Sequence, residues 1–253
     1  MTRTCVIVQA RMTSVRFPGK VLMDLAGRSV LAHTLARCAA IPGIDAVCSA
    51  VPIGAAHDPV AAESERAGAI VVRGSERDVL DRYCTAAAVL DAEVVMRVTS
   101  DCPLVDPEVC GQVMRLVTEA GTDYACNNMP PSWPHGLDSE AFTIAALDRA
   151  GREASEPHQR EHVTPWLRAN PSLRKANLPG PGGWAAEQRW TIDFAEDLEF
   201  FRALFAELPP APTMPTTDEI LALLRARPDI AALNARHHNV SRPTMPVALK
   251  GRS

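Results

Sequence analysis

Between residues 5 and 119, short apolar runs alternate with longer amphipathic ones, and few folds accommodate that rhythm. Strands are expected over Cys5–Gln9, Ala46–Val51, Ala69–Val72 and Val94–Val98. Helices are expected between them, over Ser29–Ala40, Asp58–Ala67, Arg77–Leu90 and Pro107–Glu119. In the first helix Val30, Leu31, Thr34, Leu35 and Cys38 share one face, as the 3.6-residue period requires. Asp58-Pro59 supplies a helix-start signal for the second. Alternation of this kind folds as a largely parallel α/β sheet covered by helices on both faces.

From Asn127 the pattern loosens, and "NNMPPSWPHGLDSEAF" is rich in turn formers. Helical stretches are expected near Ile144–Glu153 and Glu161–Arg168, then a late strand over Arg189–Ile192 and a helix through Leu198–Glu207. The proline-rich run "LPPAPTMPTT" at 208–217 reads as a connector, followed by helices over Asp218–Arg225 and Ile230–Ala235. One domain is therefore expected over 1–240, and 241–253 reads as a flexible tail.

The totals exclude several functions. A net charge of -4 gives no general attraction to nucleic acid or anionic lipid. No uninterrupted apolar run is long enough for a membrane span, and Met1-Thr2-Arg3 leads into a strand and not a signal peptide, so a cytoplasmic location is expected. The seven cysteines never take Cys-x-x-Cys spacing, which leaves them as small core residues. His158 and His162 have helical spacing but lack the adjacent glutamate and third ligand of a zinc site. His237-His238 reads as surface.

Chemistry concentrates first in "VIVQARMTSVRFPGK", residues 6–20. A buried strand stops, and Arg11, Arg16 and Lys20 follow, closed by Pro18-Gly19. In open α/β sheets, ligands bind beyond the carboxyl ends of strands. Three cations there suit a polyphosphate, and Gly19 permits close backbone approach; a merely solvated basic loop has the same composition. A P-loop is ruled out, because Ser14 stands where its first glycine belongs and Val21 follows Lys20. A Gly-x-Gly-x-x-Gly turn is also missing. In "RVTSDCPLVDPE", Asp101 lies just past the fourth strand, where a carboxylate could hold Mg²⁺ against substrate phosphates or simply make a turn. Asp106-Pro107 reads as a helix cap.

"VQARMTSVRFPGKVL" closely resembles the Ala-Arg-x-x-Ser-x-Arg-x-Pro-Gly-Lys signature of the sugar-acid cytidylyltransferases, which activate 3-deoxy-manno-octulosonate and acylneuraminate. The SpsF-type branch is most similar, through "VVRGSERDVLDRY", "RVTSDCPLVDPE", "PHGLDSEAF", "REHVTPW" and "RWTIDFAEDLEF" in the same order. The resemblance implies a three-layer αβα nucleotide-diphosphate-sugar transferase fold of the GT-A type, with a mostly parallel mixed sheet. It implies a nucleotide-binding half over 1–126, an acceptor-binding half over 127–207 and a helical extension over 208–240.

The implied reaction is Mg²⁺-dependent transfer of CMP from CTP to a sugar-acid-like acceptor, with release of pyrophosphate, in surface polysaccharide or related biosynthesis. By position, Arg11, Ser14, Arg16 and Lys20 would hold phosphates, Gln9 and Ala10 would lie near the nucleotide, and Arg73 and Gly74 would face its pocket. Asp101 would be the principal metal ligand and Asp193 its partner, while Glu196 and Asp197 suit the first turn of a helix. Asp78 and Arg82 have the spacing of a helical ion pair and read as scaffold. Gly136, Asp138 and Glu140 could bind acceptor hydroxyls, and Arg160, Glu161 and His162 its charge. Related enzymes pair, and region 127–165 is the expected homodimer contact. The acceptor segments depart from both well-known sugar-acid enzymes, so a phosphonate acceptor stays open. So does a glycosyltransferase of the same fold, although "SDCPL" lacks the Asp-x-Asp pair such enzymes use.

Overall fold

The computed structural model describes residues 2–240; the expected flexible tail lies outside the described residues. The strands are β1 (Thr4–Gln9), β2 (Asp24–Leu25), β3 (Arg28–Ser29), β4 (Ala46–Pro52), β5 (Ile70–Gly74), β6 (Val94–Thr99), β7 (Tyr124–Cys126), β8 (Glu140–Thr143) and β9 (Lys175–Asn177). The helices are α1 (Val30–Ala39), α2 (Asp58–Arg66), α3 (Val79–Val89), α4 (Pro107–Thr118), α5 (Ile144–Glu153), α6 (Pro157–His162), α7 (Pro165–Ala169), α8 (Gly183–Glu187), α9 (Ala195–Glu207), α10 (Thr217–Ala226) and α11 (Pro228–Ala232).

Seven strands form one sheet in the order β5-β4-β1-β6-β8-β7-β9, and β2 and β3 form a separate small hairpin. β5, β4, β1 and β6 are parallel, as the alternation predicts. β8 then enters antiparallel to β6 and β7, which makes the sheet mixed. The chain runs outward from β1 through β4 to β5, then returns to place β6 on the other side of β1. That reversal opens a crevice beyond the carboxyl ends of β1 and β6, where Gln9 and Thr99 are register partners.

The period of 2 in β1 sorts side chains to opposite faces. Cys5 and Ile7 pack with Leu80 and Tyr83 of α3, Leu147 of α5 and Leu167 of α7. Val6 and Val8 pack with Leu31 and Leu35 of α1, Val60 of α2 and Met114 of α4. This gives three layers. A third cluster joins Leu25 and Val30 to Trp190, Phe201, Leu204, Ile220 and Leu224, and it docks the C-terminal helices beside the sheet. Local chemistry fixes the helix starts. The Ser29 hydroxyl accepts from the Ala32 amide at 3.0 Å, and Asp106 caps α4 while also taking the Thr217 amide and hydroxyl at the mouth of α10.

Three expectations change. β7, β8 and β9 are only three or four residues long, too short to show a pattern in a turn-rich segment. The single helix expected over Glu161–Arg168 is two helices, α6 and α7, because Val163 takes a φ of 70° and Pro165 starts a new turn. The expected strand over Arg189–Ile192 makes only an isolated bridge, His135 to Arg189.

That bridge depends on Gly136, whose φ is 113°. A Cβ there would fall 2.1 Å from the Trp190 carbonyl oxygen, so any side chain pushes the segment leading to Asp193 out of place. Gly136→Ala should cost on the order of 3 kcal/mol through strain and overlap. Urea unfolding measures this; a loss below about 1 kcal/mol would show that the segment shifts freely.

Candidate active site

A cavity of about 970 Å³ occupies the crevice. It is lined by Gln9, Ala10, Arg11, Ser14, Arg16 and Lys20 from the first loop, by Asp101 beyond β6, and by Asp138, Glu161, His162 and Asp193 from the later segments. The volume lies at the upper end of the range for small-molecule and cofactor sites.

The first loop is held at its base. The Met12 amide donates to His57 Nδ1 at 3.2 Å, and the Thr13 hydroxyl donates to Glu76. The Ser14 and Gly19 amides both donate to the Met12 carbonyl, which curls the loop back on itself. Gly19, at φ 71°, turns the chain into the 3-10 turn Lys20–Leu22. Arg11 lines the cavity and makes no hydrogen bond or ion pair with the described residues.

Lys20 is buried, and its Nζ lies 2.6 Å from Asp101 Oδ2, 2.9 Å from Asp193 Oδ1 and 2.5 Å from the Ile192 carbonyl. Burial alone would lower the Lys20 pKa; the charges of Asp101 and Asp193 outweigh it and raise it above the usual value. Burial pushes both carboxyls up, yet the Lys20 charge holds Asp101 below the usual range, and Lys20, Arg16 and Arg189 hold Asp193 well below it.

Asp193 is fixed by a second tier. Arg16 Nη2 reaches its Oδ1 at 2.7 Å, and Arg189 Nη2 donates to its Oδ2 at 2.9 Å. Arg189 also forks onto Asp197, whose Oδ2 accepts the Asp193 and Phe194 amides at the start of α9. Asp197 is thus structural, as its place in a first helical turn suggests. Asn234 closes the tier by donating to Asp197 and to the Arg189 carbonyl. His237, expected at the surface, instead stacks on Phe194 with ring centroids 4.1 Å apart.

The two carboxylates fit Mg²⁺. Asp101 and Asp193 converge on the Lys20 ammonium, and their chemistry is the donor set Mg²⁺ takes, one or two carboxylates with phosphates and water completing its shell. Among the described residues no group of three or more potential metal ligands exists, so substrate and water would supply the rest.

Other expected site residues do not reach the cavity. Arg73 turns to Asp58 and the Pro52 carbonyl, drawn by a carboxylate on α2. Gly74 packs against Arg82, whose Cγ would lie 2.8 Å from an added Cβ. Arg160 is taken by Asp78 and by the carbonyls of Gly151 and Ala154, so Asp78 pairs with Arg160 and not with Arg82. Gly136 serves the backbone approach to Trp190. Glu140 is sealed in the floor: Arg97 Nη1 meets its Oε2 at 2.6 Å, and Arg168 Nη2 and the Tyr124 hydroxyl meet its Oε1 at 2.6 and 2.5 Å.

The sequence reading took Arg82 as scaffold and did not single out Arg97 or Arg168; all three line the cavity. Arg97 sits inside a strand pattern, where an arginine two residues before a strand end is the available signal.

A crevice at a strand-order reversal, a cationic loop and two converging carboxylates together define a nucleotide-dependent transferase site. Residues 5–219 match the cytidylyltransferase family, and the chain belongs to it. The spore coat polysaccharide biosynthesis protein SpsF of Bacillus subtilis is 33% identical over 89% of this chain and 95% of its own. The 3-deoxy-manno-octulosonate cytidylyltransferase of Anaeromyxobacter sp. is 33% identical over 81% of this chain and 85% of its own. A cytidylyltransferase structure from Leptospira borgpetersenii superposes with a TM-score of 0.86 at 24% identity, over 91% of this chain and 97% of that one. The chain is an SpsF-type relative of the sugar-acid cytidylyltransferases with their three-layer nucleotidyltransferase fold. No helix among the described residues is long and apolar enough to cross a membrane.

The Glu140 site predicts an acid limb. Burial raises this carboxyl, but Arg168 and Arg97 win and hold it at about 2, below its ordinary 4.5. A depressed folded value stabilises the fold above the unfolded value and is lost as pH falls through 4.5 towards 2. The contribution is on the order of 3 kcal/mol. Unfolding free energy should fall over that window, and Glu140→Gln should flatten the slope; an equally steep slope would exclude Glu140 as the source.

Proposed function

We propose that this chain transfers CMP from CTP to an oxygen of a sugar-acid-like acceptor and releases pyrophosphate, with Mg²⁺. The carrying observation is Lys20, buried between Asp101 and Asp193 at the root of a cationic loop. Membership of the cytidylyltransferase family and the likeness to a 3-deoxy-manno-octulosonate cytidylyltransferase support CTP as donor and a sugar acid as acceptor.

The acceptor oxygen attacks the α-phosphorus, and the bond to the β,γ-pyrophosphate breaks. Arg11, Arg16 and Lys20 neutralise charge that grows on the leaving group, and the anchored loop holds them in place beforehand. Asp101 and Asp193 would hold Mg²⁺, which when bound neutralises phosphate charge and acidifies the acceptor hydroxyl. Gln9 and Ala10 line the cavity and would serve the nucleotide, and the Ser14 hydroxyl would add a donor for its phosphates. Asp138, Glu161 and His162 line the cavity and would serve the acceptor; burial lowers the His162 pKa, which favours a neutral imidazole.

CTP with Mg²⁺ should raise the melting temperature more than ATP, GTP or UTP, because stabilisation follows affinity; equal shifts would remove CTP as the preferred donor.

Lys20→Ala should lower kcat by about 10²-fold or more, with a smaller loss of CTP affinity, because the leaving-group charge is largest in the transition state. Asp101→Asn should abolish pyrophosphate release while the fold survives. Wild-type kcat in Lys20→Ala, or near-normal turnover of Asp101→Asn at saturating metal, would overturn these assignments.

A further inference from the structure

The floor of the cavity holds a charge arrangement that the phosphate chemistry does not use. Arg97 lies at the β6–β8 seam directly opposite Glu140, its register partner in the antiparallel pair. Arg168 arrives from α7 and meets the other oxygen of the same carboxylate. Each guanidinium is also gripped elsewhere. Gln9 Oε1 accepts from Arg97 Nε at 3.3 Å, and the Tyr124 hydroxyl accepts from Arg168 Nε at 3.1 Å. Asn128 Oδ1 lies 3.4 Å from Arg168 Nη2.

These bonds use Nε and Nη1 of Arg97 and Nε and Nη2 of Arg168. Arg97 Nη2 and Arg168 Nη1 make no hydrogen bond with the described residues. Both arginines line the cavity with side chains 16% and 17% exposed, whereas the Glu140 side chain is 1% exposed. One arginine would neutralise one buried carboxylate. The second leaves the network with a surplus positive charge, and its spare donors belong to residues that face the cavity. A buried cation at a cavity wall calls for an anion from the ligand.

We infer that Arg97 and Arg168 form a clamp for the acceptor's carboxylate, and that Glu140 is a positioning residue which orients both guanidiniums without touching the acceptor. This rests on the transfer reading above and assigns its acceptor side. Two guanidiniums bound to opposite oxygens of one glutamate present paired N–H donors, a geometry that suits a planar carboxylate. The surplus of one positive charge matches a monoanion. The ring of supports explains why Glu140, a residue with no access to ligand, lies at the centre of the floor.

Two arms test this separately from the transfer reading. The full chain, with ¹⁵N in its arginine side chains, is titrated with glycolate in the presence of CTP, with glycolamide as the neutral control. Glycolate should shift the Nε resonances of Arg97 and Arg168, and glycolamide should leave them in place. Equal movement by both, movement by neither, or movement confined to Arg11 and Arg16 overturns the clamp. Arg97→Gln should weaken glycolate binding about 10-fold or more, the effect of losing a charge-assisted bond. Glu140→Gln should do the same, and Arg97→Gln, which leaves a neutral Arg168–Glu140 pair, keeps the test intact if that variant does not fold. Unchanged glycolate affinity in folded Arg97→Gln overturns the proposal. The second arm follows pyrophosphate release over sugar acids and their carboxamides. Release with amides as fast as with acids sinks the clamp but keeps nucleotidyl transfer. Glycolate binding at the clamp with no pyrophosphate from any acceptor sinks transfer but keeps the clamp.

Discussion

The ion pair between Arg189 and Asp197 sets the geometry on which the site depends. Both side chains are fully buried, and Asp197 spends its second oxygen on the amides that begin α9. Arg189 then has one guanidinium nitrogen placed against Asp193. Asp193 in turn receives Lys20 and Arg16 from a loop more than 170 residues away in sequence. Buried ion pairs contribute little net stability, because desolvation offsets attraction, but removing one partner strands a charge and costs about 3–5 kcal/mol. The arrangement therefore specifies where the charges sit more than it holds the fold together. The apolar cluster around Trp190, Phe201 and Leu224 supplies the burial that makes this possible.

The sheet divides the labour at the cavity. The parallel strands deliver the first loop and Asp101 from adjacent carboxyl ends, a consequence of β1 and β6 being neighbours in register. The antiparallel strand β8 and helix α7 deliver the floor. The segment through Asp193 belongs to neither; it crosses over the strand ends and is kept close by Gly136 lying against the Trp190 carbonyl. A carboxylate on an irregular segment needs such external fixing, since no strand ladder holds it.

Much of the parallel half was legible because its strands and helices are long enough to show their periods. The later strands were not, since three residues at β7 or β9 carry no detectable alternation. Among site residues, Arg11, Arg16 and Lys20 stood out as cations after a strand, and Asp101 as a carboxylate at a strand end. Asp193 came through resemblance, and only tertiary structure shows it sharing Lys20 with Asp101. Arg73, Arg160 and Glu140 were misplaced for one reason. A charged residue in a motif near a pocket can bind ligand or brace its neighbours, and tertiary pairing decides which. Asp58, Asp78 and Arg97 are the partners that decide, and they lie 15, 82 and 43 residues from the groups they hold.

The reversal of strand direction between β6 and β8 has a mechanical consequence for the cavity floor. Arg97 and Glu140 are the last register pair of that seam, so the direction of the Arg97 guanidinium is set from the opposite strand, and a one-residue slip of β8 would turn Glu140 away from it. The seam thus works as an alignment key: the floor keeps its charges facing one another only while the two strands keep their register.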